Sequence, residues 1–255
     1  MGGAACTLAA VYTAARLKIP INVIALMPLC ENMPGACAPG DVVTAMNGKT
    51  IQVDNTDAEG RLILCDALCY AETFKPRAIL DLATLTGAMV VALGSAVTGV
   101  YTNSSHVWQT MQKAGSRTGD RVWRMPLFKH YTKQITESQL ADLNNITANR
   151  EAGPCTAAAF LQEFVSNKHW MHLDIAGVMS NKSEVPYLNK GMAGENMTQL
   201  NVGYVHQLQD RTVKTCDYVS NFVCCVTIYR HSASGTYWQG LMLTCIGSMK
   251  YRIIV

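Results

Sequence analysis

The sequence predicts an α/β protein with a mixed, largely parallel sheet flanked by helices. Two observations support this class. Apolar runs rich in β-branched residues alternate with segments of helical period, and 49% of residues are hydrophobic while only 15% are charged. Runs that are apolar on both faces are typical of strands covered by helices on each side. A chain of 255 residues with this composition can bury a large core, which argues against disorder.

The first part of the chain supplies the elements in order. Densely placed small residues over 1–17 predict a helix packed on a sheet, and the apolar run 19–29 predicts a buried strand. Residues 42–53 predict two strands joined at Asn47-Gly48 by a type I′ turn. Helical spacing over 60–74 predicts a helix, and the apolar run 78–85 predicts a further strand. Together with the strand that ends at Val53, they predict a βαβ unit.

The second part continues the alternation and then changes character. Helices are predicted over 104–113 and 156–166, and a strand over 169–175, whereas 121–150 is irregular and polar and predicts a surface or a subunit contact. After Gly194 no period of 2 or 3.6 is clear. We therefore divide the chain into a domain over 1–194 and a tail over 195–255 of uncertain structure, which we expect to be poorly integrated with the fold.

Charge and cysteine usage limit the partners. The net charge is only +3 and no long basic run occurs, which disfavours nucleic acid. The first twenty residues lack a basic region and an unbroken apolar span, so no membrane segment or secretion signal is expected there. Ten scattered cysteines without a CxxC pair predict reduced thiols in the cytoplasm and no thiolate zinc site.

The segment 55–61 carries the clearest chemistry. Asp57 and Glu59 follow a predicted strand, and in an extended loop their side chains would share a face and reach one divalent cation or two neighbouring ones. Arg61 adds a positive fork suited to an oxyanion, a carboxylate or carbonate. The alternative is that both acids favour the start of the next helix and that Arg61 pairs with them. Spacing alone leaves both hypotheses open.

Several segments together resemble the catalytic domain of the leucyl (cytosol) aminopeptidases. The octapeptide 55–62, Asn-Thr-Asp-Ala-Glu-Gly-Arg-Leu, is that family's signature, and the resemblance extends over about 1–194. The other segments that carry it are 28–34, 39–43, 47–50, 83–88 and 174–177.

The resemblance implies a dinuclear metal exopeptidase. Such an enzyme works in the cytosol as a homohexamer and releases N-terminal residues, preferably leucine, from peptides with a free N-terminus. It implies zinc or manganese, with magnesium possible, bound by Asp57 on one metal and by Glu59 bridging both, and a bicarbonate proton shuttle held by Arg61 as a catalytic group. The implied substrate-binding residues are Asp57, Thr84, Leu85, Gly87, Ala176 and Met179, the last two forming the pocket for the leucine side chain.

The family's other ligands, a lysine and two aspartates, and its catalytic lysine belong to segments upstream of the Met1-Gly2-Gly3 stretch. We therefore expect an N-terminally incomplete catalytic domain from a truncated or alternative product, with little peptidase activity of its own. One alternative is a non-catalytic fragment that associates with full-length subunits. Another is an unfolded product that is rapidly degraded.

Overall fold

The computed structural model describes residues 2–30, 37–149, 151–181, 190–192, 221–226, 228–229, 241–246 and 249–254. Six helices lie in this part of the chain: α1 (Gly2–Arg16), α2 (Gly60–Glu72), α3 (Gly87–Leu93), α4 (Ser105–Thr118), α5 (Lys129–Ile135) and α6 (Gly153–Gln162). The strands are β1 (Asn22–Leu26), β2 (Leu29–Cys30), β3 (Asp41–Thr44), β4 (Thr50–Val53), β5 (Ala78–Ala83), β6 (Thr98–Thr102), β7 (Val122–Arg124), β8 (Leu143–Asn144), β9 (Trp170–Asp174), β10 (Ser180–Asn181), β11 (Gly191–Met192), β12 (Asn221–Val226), β13 (Ile228–Tyr229), β14 (Leu241–Ile246) and β15 (Met249–Ile254).

One eight-stranded sheet organises the fold, in the order β14-β15-β1-β12-β5-β9-β6-β7. Its neighbours run parallel except for the pairs β14–β15 and β6–β9. β5 and β9 are buried at every position, as expected for strands covered on both faces. The predicted α/β class with a mixed, largely parallel sheet is confirmed.

The core lies on both faces of this sheet. Alternate residues of β5 point to opposite sides, so Leu80 and Leu82 pack with α1 and α4, whereas Ile79 and Ala83 pack with α2 and α6. The predicted helix over 1–17 is therefore present as α1, and its small residues pack against the sheet. This layering places the start of α2 on the same face as Ile79 and Ala83.

Strands of the predicted tail lie within the main sheet. β1 pairs with β12 along one edge and with β15 along the other, and β12 also pairs with β5. Among the described residues, β1 thus joins the rest of the sheet only through strands that follow residue 194. The expectation of a poorly integrated tail is wrong, because these strands supply the ladder partners of a buried parallel strand. The domain boundary at residue 194 stays a prediction.

The connection at Asn47-Gly48 differs from the predicted type I′ turn. β3 and β4 form the expected antiparallel hairpin, but Gly48 is the residue of the turn with a positive φ, 86°, while a type I′ turn needs two. Gly48 N–H donates to Ala45 O, and Ala45 N–H to Lys49 O, which closes a longer loop. Asn47 contributes through its side chain, whose Oδ1 accepts from Lys49 N–H at 3.1 Å.

The predicted βαβ unit is also wrong. β4 belongs to a separate three-stranded sheet, β3-β4-β8, whereas β5 lies in the main sheet, so α2 connects two sheets. The segment 121–150 is more regular than predicted: it forms β7, α5 and β8, and buries Ile135, Leu143 and Asn145. The parallel pairing of β8 with β4 accounts for part of this regular structure, because β8 completes the small sheet that leads into the acidic loop.

Candidate active site

The acidic segment folds as a tight turn between β4 and α2. Residues Thr56–Ala58 form a single 3₁₀ turn, and its N-cap Asn55 accepts a hydrogen bond from Asp57 N–H through Oδ1 at 2.9 Å. The expected extended loop is therefore wrong, because the side chain of Asn55 stabilises the turn locally. Strand alternation does not place Asp57 and Glu59 on one face; Asp57 is exposed and Glu59 is half-buried.

The capping alternative is not supported by the side-chain contacts. The capping oxygen of the 3₁₀ turn comes from Asn55, not from either acid. Glu59 occupies the N-cap position of α2, but its carboxylate makes no capping hydrogen bond there. The two carboxylates thus stand at the start of α2, where the helix dipole favours negative charge, without serving as caps.

Arg61 lies in the first turn of α2 with its side chain turned inward. It is only 7% exposed, and Nη1 donates to the backbone carbonyl of Asn145 at 2.8 Å. A guanidinium stays protonated in proteins, so the first turn of α2 carries a buried cation within a few residues of Asp57 and Glu59.

Three of the residues predicted to bind substrate, Thr84, Leu85 and Ala176, lie in two loops that Asp174 holds together. Asp174 ends β9, and its Oδ2 accepts from Thr86 Oγ1 at 2.6 Å. Its Oδ1 accepts from the backbone N–H groups of Leu85 and Ala176, each at 3.2 Å. The loop after β5, which contains Thr84 and Leu85, is thereby joined to the turn after β9.

Gly87 and Met179 occupy different environments. Gly87 is exposed at the start of α3, which Thr86 caps by accepting from Met89 N–H at 3.2 Å. Met179 is 3% exposed and packs in the core on the side of α1, against Gly2. The turn that leads to it requires Gly177, because a Cβ there would lie 2.0 Å from the carbonyl oxygen of Gly94. The substrate-binding roles of these residues stay predictions.

A buried ion pair connects β5 and β9 beneath the two loops. His172 Nδ1 contacts Asp81 Oδ1, Trp170 Nε1 donates to Asp81 Oδ2 at 2.6 Å, and all three side chains are fully buried. Burial lowers the pKa of His172, but the charge and hydrogen bond of Asp81 together with the charge of Asp174 raise it, and the pKa lies above its ordinary value despite the opposing charge of Arg61. The surroundings thus favour the imidazolium form of His172 more than water does.

Asp174 is also perturbed. Burial raises its pKa, although the charge of His172 and the hydrogen bonds from Thr86, Ala176 and Leu85 lower it. Because the charges of both Arg61 and Asp174 act on His172, the start of α2 and the carboxyl end of β9 are linked electrostatically through this imidazole.

The carboxylates suit a divalent cation only in part. Oxygen ligands fit zinc, manganese or magnesium, and Asp57 and Glu59 supply them. In the part of the chain that the structure describes, no group of three or more His, Cys, Asp and Glu side chains is placed to hold a metal ion. The described residues therefore fit as one portion of a cation site and do not complete it.

Comparison with known proteins decides the family. The family model described as cytosol aminopeptidase family, catalytic domain, matches residues 1–201. The chain belongs to the cytosol aminopeptidase family. The resemblance stated from the sequence is confirmed, and the match ends close to the boundary predicted at residue 194.

Several cytosol aminopeptidases align with this chain at high identity. It is 71% identical over 197 residues to the cytosol aminopeptidase of Xenopus tropicalis and 68% identical over 196 residues to that of Homo sapiens. The probable cytosol aminopeptidase of Geobacter sulfurreducens is 50% identical over 196 residues. Each alignment covers 76% of this chain but only 38–39% of the relative, so the chain spans little more than a third of their length. In the part of the chain that the structure describes, none of the helices has the length and hydropathy that a membrane span requires.

Three buried residues at or near this candidate site were not singled out from the sequence. Asn145 lies in the segment predicted to be irregular and polar, yet its backbone carbonyl accepts a hydrogen bond from Arg61. Asp81 and His172 each interrupt an otherwise apolar strand sequence, and this interruption is what could have indicated a buried ion pair. That signal identifies neither the partner nor the pairing of β5 with β9.

The raised pKa of His172 predicts a pH dependence of stability. A histidine whose folded-state pKa exceeds the unfolded value of about 6.5 stabilises the fold fully below that value, and this stabilisation is lost as pH rises through the folded pKa. Replacing His172 by Gln should cost roughly 3–5 kcal/mol near pH 5.5, because Asp81 loses its buried cation.

Urea unfolding of the wild type and of His172→Gln at several pH values between 5.5 and 9 measures this difference. We expect it to shrink as pH rises above about 6.5. The matched control is His130→Gln, since His130 is exposed on α5, and its effect should stay small throughout. A His172 effect that does not change with pH would contradict the assignment.

Proposed function

We propose that the chain carries part of the catalytic apparatus of a metal-dependent aminopeptidase that releases N-terminal residues, preferably leucine, from peptides. The observation that supports this best is the placement of Asp57 and Glu59 beside the buried Arg61 at the start of α2. Two carboxylates and a buried cation within one short segment suit a site that binds both divalent metal and an anion. The relatives named cytosol aminopeptidase support the same assignment.

In this proposal each residue has a distinct task. Asp57 and Glu59 hold zinc or manganese, with magnesium as a further candidate, and Glu59 bridges two ions. Such ions, when bound, polarise a scissile carbonyl and lower the pKa of a water molecule. Arg61 holds a bicarbonate ion through its guanidinium, a planar group of N–H donors that fits a carboxylate-like anion.

The substrate lies against the loops that Asp174 joins. The backbone of the loop after β5, at Thr84, Leu85 and Gly87, borders the peptide near its free N-terminus, with Asp57 close to the N-terminal amine. Ala176 and Met179 form the pocket for the leucine side chain. The double anchoring of these loops to Asp174 supports this placement, since a binding edge needs a rigid backbone. In this proposal the chain belongs to a homohexamer in the cytosol.

Metal binding tests the proposal directly. In a calorimetric titration with manganese chloride, we expect the double variant Asp57→Asn, Glu59→Gln to bind at least roughly tenfold more weakly than the wild type, because both carboxylate ligands are lost. The matched control is Glu137→Gln, Glu151→Gln, which changes the net charge equally at two exposed acids. Equal affinities for the wild type and the Asp57/Glu59 variant would mean that these carboxylates bind no metal.

Peptidase activity of the isolated chain should be negligible. A catalytic metal needs about three protein ligands, and the described residues include no cluster of three suitable side chains. Bound ions would therefore not be held in the geometry that catalysis requires. The measurement is hydrolysis of leucyl-p-nitroanilide with added manganese, beside the human cytosol aminopeptidase. Turnover comparable with that enzyme would show that the chain completes its site in another way.

A further inference from the structure

Asn145 is fixed to the strand that leads into the acidic loop. It follows β8 directly, is fully buried, and its backbone N–H donates to Gln52 O of β4 at 2.9 Å. The bond extends the parallel ladder between β8 and β4 by one step. The residue therefore enters the loop region from a rigid position.

Both ends of the Asn145 amide bind the backbone of the acidic loop. Oδ1 accepts from the N–H groups of Asp54 at 2.9 Å and Asn55 at 3.3 Å. Nδ2 donates to the carbonyl of Asn55 at 2.6 Å and makes a longer contact with that of Ala58 at 3.5 Å. An amide offers two acceptor positions and two donors, and all four are used here. Aspartate has no donors for the two carbonyls, and alanine has no polar atom.

The backbone carbonyl of Asn145 binds Arg61, the cationic residue of the site. It accepts from Arg61 Nη1 at 2.8 Å. One buried residue thus contacts the backbone before Asp57, the carbonyl that precedes Glu59, and the cation in the first turn of α2. These contacts reach across about ninety positions of sequence.

We infer that Asn145 is a positioning residue of this site: it sets the course of the 54–58 backbone relative to Arg61, and so the distance between the two carboxylates and the cation. The inference rests on the proposed function, because it assigns a metal-binding role to Asp57 and Glu59.

The test uses the full chain and two readouts, calorimetric titration with manganese chloride and amide hydrogen exchange of the peptide 54–61. In Asn145→Asp, a carboxylate oxygen faces the carbonyls of Asn55 and Ala58, so exchange in this peptide should rise and manganese affinity should fall roughly 10–100-fold. Asn145→Ser, which adds no charge, should shift both readouts in the same direction and carries the test if the aspartate variant does not fold.

The matched control is Asn167→Ala. Asn167 also bridges two backbone segments, donating to Pro76 O at 2.7 Å and accepting from His169 N–H at 2.8 Å, but at the amino ends of β5 and β9. It should leave manganese affinity and exchange over 54–61 unchanged even where urea unfolding shows lower stability. A merely structural Asn145 would behave like this control.

The outcomes separate the inference from the proposed function. If Asp57→Asn, Glu59→Gln loses manganese binding while the Asn145 variants bind as the wild type does, the positioning role is wrong and the metal site stands. If the carboxylate variant binds manganese normally, the proposed function fails, and with it the metal-positioning role of Asn145. Unchanged exchange over 54–61 in both Asn145 variants would overturn the inference in either case.

Discussion

The geometry of the site depends on the hydrogen bonds made by the backbone N–H and C=O groups of one short, partly buried polar loop. A loop between a strand and a helix leaves N–H and C=O groups without ladder partners, and burying them unpaired costs roughly 1–3 kcal/mol each. Asn145 avoids this cost by hydrogen-bonding several of these backbone groups, and Asn55 hydrogen-bonds one more within the turn. The positions of Asp57 and Glu59 follow from this arrangement, since each is adjacent to a backbone group that is bound.

The second constraint is the line of buried charges along the carboxyl half of the sheet. Asp81 and His172 face each other in the register of β5 and β9, and Asp174 and Arg61 act on the same imidazole. Buried ion pairs seldom add much net stability, because desolvation offsets their attraction. Their value here lies in orientation: Asp174 fixes two loops through three hydrogen bonds, and its ionisation is coupled to that of His172.

The sequence predicts the parts of the fold that local pattern determines. The strands β1, β5 and β9 and the helices α1, α2, α4 and α6 follow from unbroken apolar runs and helical spacing. It did not predict the place of β12 between β1 and β5, because parallel pairing joins segments about two hundred residues apart. The 3₁₀ turn and the hairpin turn were also missed, since a single side chain, Asn55 or Asn47, redirects each backbone. Asn145 could not be recognised because its partners lie about ninety residues away.

We propose that the acidic loop at the start of α2 binds divalent cations through Asp57 and Glu59, and the function of the chain depends on this. The most direct measurement is anomalous diffraction from crystals of the chain soaked in zinc chloride. We predict a peak about 2.0–2.2 Å from a carboxylate oxygen of each of these two residues. A map in which zinc lies elsewhere, with no peak beside either carboxylate, would contradict the claim.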